Sequence, residues 1–286
     1  MRFRRVFASY SVLLCVFVSA LLAQQSAPAI PYGSNPSAGA YAQVNGVKLY
    51  YEIYGEGPAL LMIHGNGGSI SGRAAQIEFF SPRYRVIAVD SRCHGKSEVV
   101  AGELTYELMA EDLNALLDHL QVKSACIFGQ SDGGIIGLLL AIHHPDKVGK
   151  LAIMGANLNP AGAYPWVLEW VDSKRKQVEE LLAQGDKRAF LPVRKQHLDL
   201  LANHPHIPLS DLEKITAPVL VMAGDKDVIR PEHTQQIFEH LAHAHLAIFP
   251  GATHGVSSEK PALFDQTLET FFHEPFTRPD SKDYIK

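Results

Sequence analysis

The sequence predicts an α/β fold in which helices cover both faces of a mostly parallel sheet. Three observations carry this. Short continuous apolar runs recur, such as Leu60-Leu61-Met62-Ile63 and Val86-Ile87-Ala88-Val89, and strands buried on both faces have this character. Stretches with apolar residues at helical spacing alternate with them, the pattern of βαβ units. Finally, 47% of the 286 residues are hydrophobic, enough for a sizeable core.

Taken in order, the alternating runs 41–44 and 47–54 flank Asn45-Gly46, a hairpin signal because both turn residues tolerate positive φ. Residues 59–63 are a buried strand ending in the loop His64-Gly65-Asn66-Gly67-Gly68. Residues 71–80 suit a helix. Strand 85–89 ends in Asp90-Ser91-Arg92-Cys93-His94-Gly95-Lys96-Ser97. Over 106–120, Leu108, Met109, Leu113, Leu116, Leu117 and Leu120 recur at helical spacing. A strand at 125–128 leads into a helix from Ser131 that stops near Pro145, and 148–154 is the next strand. The alternation then breaks. No strand signal occurs from 157 to 207, where 166–182 is amphipathic and 187–201 forms one or two further helices. Residues 157–208 are therefore expected to be a helical cap. Strand 219–223, helix 231–241, strand 245–249 and helix 261–272 follow, then a polar tail at 277–286. The core is thus divided into 41–156 and 209–276.

The N-terminus predicts a targeting signal. Arg2, Arg4 and Arg5 precede an apolar run over 10–22, and Ala23 offers a cleavage site. The run is shorter than the roughly 20 residues a membrane span needs, so 1–23 is expected to be a signal peptide and the protein secreted or periplasmic. An uncleaved anchor is the alternative, and no stable membrane insertion is expected after cleavage. Residues 24–40 are expected to be a linker. The formal charge of −4 gives no case for a nucleic-acid partner. Three cysteines are too few for a disulfide framework; Cys93 and Cys126 fall at different heights in different segments and are not expected to pair.

The chemistry gathers where ligands bind such sheets, beyond the carboxyl ends of strands. Four strand ends deliver the loop 64–68, Ser131 in Gly129-Gln130-Ser131-Asp132-Gly133, the acids of Gly224-Asp225-Lys226-Asp227, and His254 after Gly251. A G-x-S-x-G pattern alone is weak, but between a strand and a helix it describes a serine on a strained turn. A serine hydroxyl needs an adjacent base, which His254 supplies, and the base needs an acid to hold its tautomer. Asp227 is favoured over Asp225 by its spacing from Gly224 and Pro231. Five other histidines, His204, His206, His240, His243 and His245, match no zinc motif, and neither a metal nor a cofactor is expected.

Together these residues identify the chain as resembling an α/β-hydrolase-fold serine hydrolase over nearly all of its mature length. The landmarks are His64-Gly65, the Asp90-x-Arg92-x-x-Gly95-x-Ser97 loop, the Ser131 elbow, His144-Pro145, Gly224-x-x-Asp227-x-x-x-Pro231, and Gly251 with His254. The resemblance implies an eight-stranded sheet and a Ser131, His254, Asp227 triad. It also implies an oxyanion hole from the backbone N–H groups of Asn66 and Asp132. Cys93 departs from the family, which usually has glycine there. His64, Arg92 and His94 are expected to be structural.

Asp132 and Gly155-Ala156-Asn157 resemble the biphenyl-hydrolase-like group, which includes valacyclovir hydrolase. In that group the acid after the serine recognises the α-amino group of amino-acid esters. The alternative is an acid favoured by the helix dipole. Trp166 and Trp170, four residues apart, share a helix face and either line the pocket or bind the cap to the core. The expected activity is hydrolysis of small or medium carboxylic esters. Amidase or aminopeptidase, lactonase and C–C bond hydrolase activities remain open on the same triad, as does a slow-turnover receptor.

Overall fold

The computed structural model describes residues 30–285. The expected signal peptide and the first part of the expected linker lie outside them. From Pro31 onward the chain forms one unit.

Eight strands form one sheet: β1 (Gly39–Val44), β2 (Val47–Tyr54), β3 (Ala59–Ile63), β4 (Arg85–Val89), β5 (Ala125–Gln130), β6 (Val148–Met154), β7 (Val219–Gly224) and β8 (Ala244–Phe249). Their spatial order is β1-β2-β4-β3-β5-β6-β7-β8. The β1–β2 and β2–β4 pairs are antiparallel and the rest are parallel. The hairpin turn is the expected one, with Asn45 and Gly46 both at positive φ. After β3 the chain steps to β4 on one side and then to β5 on the other. The β3–β5 junction is therefore the switch point at which a ligand crevice opens.

Alternation along each strand feeds two cores. Leu61 and Ile63 face one, with α2 (Tyr106–His119), α3 (Asp132–His143) and α6 (Pro231–His240). Leu60 and Met62 face the other, with α1 (Ala74–Phe80) and α8 (Pro261–His273). Thr105 starts α2 properly, its side chain accepting from the Leu108 N–H. The short α7 (Val256–Glu259) sits just before α8.

Between β6 and β7 come the cap helices α4 (Pro165–Ala183) and α5 (Phe190–Asn203). The expectation of one or two helices over 187–201 resolves to the single helix α5. The cap has a small core of its own, with Val171, Val178, Leu191 and Leu198 buried. Of the 19 residues of α4, only Val171 and Val178 are buried, seven residues apart on one narrow stripe.

The expected linker ends earlier than position 40. β1 begins at Gly39, inside the expected linker, and the chain before it is tied down by Glu52. That carboxylate is fully buried on β2. It accepts from the Gly33 and Asn35 N–H groups and from the Tyr50 and Tyr54 hydroxyls. A buried carboxylate needs such donors, and the segment 33–35 supplies two. In the tail, Ser281–Asp283 forms a 3-10 turn capped by Asp280.

Candidate active site

Ser131 sits between β5 and α3 with φ 54° and ψ −119°, a left-handed conformation costing a non-glycine residue of order 1 kcal/mol. Its N–H donates to Met154 O at 2.7 Å, which pins the turn. The loop after β3 approaches closely. A Cβ built on Gly65 would lie 3.1 Å from Ser131 Cβ, so a side chain there would press on the nucleophile. The N–H of Asp132 opens α3 and lacks an intrahelical partner. Asn66, on the facing loop, lines the same cavity as Ser131 and Asp132, and the N–H groups of Asn66 and Asp132 are the two expected to form the oxyanion hole.

Opposite, His254 Nδ1–H donates to Asp227 Oδ1 at 2.7 Å. This fixes the tautomer that leaves Nε2 as a base. Asp227 Oδ1 also accepts from the Ile229 N–H at 3.1 Å, while Oδ2 is buried without a partner. Gly155, at φ 63°, permits the pair: a Cβ there would fall 2.7 Å from His254 Nδ1. Asp225, the rival acid, is elsewhere. It accepts from the N–H groups of Gly251 and Ala252 and so ties the β7 and β8 ends together. Gln130 Nε2 donates to His254 O at 3.0 Å, a positioning contact across 124 residues of chain that no local pattern announces. Ser131 and His254 line one cavity of about 620 Å³. Their direct hydrogen bond is not formed, as is common before substrate binds.

Asp132 is 2% exposed yet lines this cavity. Its Oδ2 accepts from Asn66 Nδ2 at 2.9 Å, so Asn66 and Asp132 brace each other through their side chains. Burial pushes its carboxyl up to about 6, partly offset by Asn66. The Tyr106 hydroxyl lies beside the carboxylate and perturbs it, without completing a hydrogen bond.

The expected structural residues are structural. His64 Nδ1–H donates to Gly65 O, and its Nε2 accepts from the Ser91 N–H. Arg92 makes a buried ion pair with Asp112. His94 stacks on His197 of α5, with centroids 3.9 Å apart and planes within 12°. His197 Nε2–H donates to Cys93 O, and His197 O accepts from Asn66 Nδ2. The cap helix is thus latched to the oxyanion loop. Burial drives all three imidazoles down, His64 to about 4 and His94 to about 2. Cys93 stands at φ 61°, a backbone conformation easier for glycine, and its carbonyl accepts from His197. Both Cys93 and Cys126 are free thiols.

Trp166 and Trp170 line the cavity from α4 and are 57% and 45% exposed. They are therefore lining residues, and the cap is bound to the core elsewhere, by His197, by Gln196 Nε2 donating to Val100 O and Gly102 O, and by the buried Leu200. The five tempting histidines scatter. His204 pairs with Glu103, His245 with Thr277 O and His240 with Gln236 O. Among the described residues no group of three or more metal-ligand side chains converges, and no helix is long and apolar enough to cross a membrane.

Comparison with known proteins agrees with this fold. The chain is 29% identical over 253 residues to 3-oxoadipate enol-lactonase 2 of Acinetobacter baylyi, covering 78% of this chain and 92% of that one. It is 26% identical over 279 residues to the serine hydrolase BPHL of Homo sapiens, covering 91% and 94%. An esterase from Exiguobacterium antarcticum has a similar structure, with a TM-score of 0.72 at 26% identity, covering 82% of this chain and 100% of that one. The family defined by the alpha/beta hydrolase fold matches residues 58–206, more than half of the chain. The chain therefore belongs to the α/β-hydrolase fold family.

Proposed function

We propose that the protein is a serine hydrolase cleaving carboxylic esters of small or medium acyl chains. The observation that carries this is the His254–Asp227 pair at 2.7 Å, sharing a cavity with a serine on a left-handed turn. Ser131 Oγ attacks the ester carbonyl while His254 Nε2 takes its proton. The Asn66 and Asp132 N–H groups receive the oxyanion, and Asp227 stabilises the imidazolium. His254 then returns the proton to the departing alcohol. Water, activated by the same nitrogen, releases the acid from the acyl-enzyme. An enol-lactonase and an esterase among the similar proteins support acyl–oxygen chemistry.

The test is steady-state hydrolysis of p-nitrophenyl acetate, butyrate and decanoate, with Ser131→Ala as control. Serine-dependent turnover with acetate or butyrate ahead of decanoate is expected. A single burst without turnover would favour a receptor. We place the protein outside the cytoplasm on the strength of residues 1–23, and N-terminal sequencing of exported protein checks this.

A second reading, α-amino-acid esters, is favoured by the position of Asp132 in the cavity wall. Its carboxyl ionises above about 6, so a substrate ammonium would bind better as pH rises through that value. Amino-acid p-nitrophenyl esters whose KM does not improve between pH 5 and 7 would rule it out, as would Asp132→Asn weakening neutral esters equally.

A further inference from the structure

Arg73 ends the 3-10 turn Ile70–Arg73 that follows the oxyanion loop, and its side chain lines the cavity. Its Nε and Nη1 are buried without hydrogen-bond partners. The field of Asp265 on α8 reaches it, but Asp265 Oδ1 is already held by Gln76 Nε2 at 3.2 Å. The guanidinium lies 6.0 Å from the Phe128 ring centroid, the outer limit of a cation–π contact. Burial pulls its pKa down to about 10, so it stays charged at neutral pH.

Arg73 is partly buried, and two buried N–H groups of a cation left without partners call for an explanation. The triad chemistry needs no cation, so it does not supply one. The rest of the lining points the same way. Arg194 adds a second positive charge from α5, and the one acidic side chain in the lining, Asp132, is bonded to Asn66. The cavity lining therefore carries two arginines against one carboxylate that is already engaged by Asn66.

We propose that Arg73 binds a carboxylate of the substrate, and that the substrate is an ester or lactone carrying a second, free carboxylate. Nη2, the one guanidinium nitrogen that is neither sealed off nor hydrogen-bonded, can give a charge-assisted hydrogen bond to a carboxylate, and a single guanidinium balances a monoanion. The proposal rests on hydrolysis at Ser131 and names the substrate class of that reaction.

Two matched pairs test it. Mono-4-nitrophenyl adipate against 4-nitrophenyl hexanoate puts the charge on the acyl side. 4-Acetoxybenzoate against phenyl acetate puts it on the leaving group. Wild type is expected to favour the anionic member of one pair by about tenfold or more in kcat/KM, mainly through KM. Arg73→Met should cut that ratio by about ten- to a hundredfold, the range for a charge-assisted hydrogen bond, and Arg73→Lys should fall between. No anion preference in either pair overturns the proposal. So does an Arg73→Met ratio within threefold of wild type, which would make Arg73 a packing residue. If Arg73→Met does not fold, by circular dichroism, the Arg73→Lys ratio is read in its place. Absence of serine-dependent turnover on all four substrates overturns the hydrolase reading instead. Calorimetric binding of adipate then decides separately. Tenfold or greater weakening in the Arg73 variant supports the carboxylate site, and equal binding, or none, overturns it.

Discussion

The two walls of the cavity are built differently. On the core wall, Ser131, His254 and Asp227 stand at strand ends, and backbone and side-chain contacts fix them from several directions: Met154 O holds Ser131, Gln130 holds His254, and Asp225 ties the loops beneath. On the cap wall, Trp166 and Trp170 stand half in solvent on a helix with two buried residues. One wall is over-determined and the other is loosely held. A constellation that stabilises a transition state must be held to fractions of an ångström, whereas a surface that selects among acyl groups need only exclude or admit them. The chemistry is therefore expected of the rigid wall, and selection by acyl-chain length of the adaptable one.

The largest effects should come from the core wall. Ser131→Ala should lower kcat by about 10⁵–10⁶ with little change in melting temperature. Asp227→Asn should cost about 10⁴, because the imidazole loses its tautomer control. Asp225→Asn should cost less than about tenfold, since Asp225 holds loops and does not touch His254. Equal losses from the two Asn variants would break the assignment of the acid.

Next in size is a pH effect at the latch between the walls. His64, His94 and His197 are neutral in the fold, with pKa values below the 6.5 of an unfolded histidine. The unfolded chain therefore takes up protons first as pH falls. Their contribution to stability is full above about pH 6.5 and is lost below it, down to about 4 for His64 and about 2 for His94. Asp132, raised to about 6, acts in the opposite direction: the fold holds its proton longer, which adds stability as pH falls from 6 to 3.8. The His94 share is isolated by difference. Between pH 7.5 and 5, wild type should lose about 2 kcal/mol more unfolding free energy in urea than His94→Asn does. Identical slopes would remove His94 from this role.

The same latch explains Cys93. A non-glycine residue at φ 61° is strained, and a β-branched one more so. Cys93→Gly should shift stability by less than about 1 kcal/mol, relief of strain offsetting the lost thiol packing. Cys93→Val, similar in size, should cost about 2 kcal/mol or more. If Val is tolerated as well as Gly, the backbone at 93 is not what presents the carbonyl to His197.

How much was legible in the sequence follows the same division. The core wall was readable because each group lies just after an apolar strand, and strand ends are marked by composition: His64 after Ile63, Ser131 after Phe128 and Gln130, His254 after Phe249. Local spacing sufficed. The links between segments were not readable. Gln130 to His254, His197 to Cys93, Glu52 to Gly33 and Asn35, and the unpaired Arg73 depend on where distant residues meet, and a buried polar contact leaves no periodic trace. Trp166 and Trp170 were visible as a pair, but whether they faced the core or the cavity depended on how the cap docks.

The smallest effects on stability, and the sharpest on selectivity, should come from that pair. Each ring is about half exposed, so truncation removes little buried area. Trp166→Ala and Trp170→Ala should each change unfolding free energy by about 0.5 kcal/mol or less. Both come from the cap and neither belongs to the expected triad, so kcat on acetate should stay within about threefold of wild type. The loss should fall on longer acyl chains, whose extra methylenes would pack on the indoles, at about 0.8 kcal/mol per CH₂ when fully buried and less here. The butyrate-to-acetate ratio in kcat/KM should therefore drop by about three- to tenfold. A uniform loss across chain lengths would mean that the tryptophans order the cap as a whole, and the cap wall would then be as over-determined as the core wall.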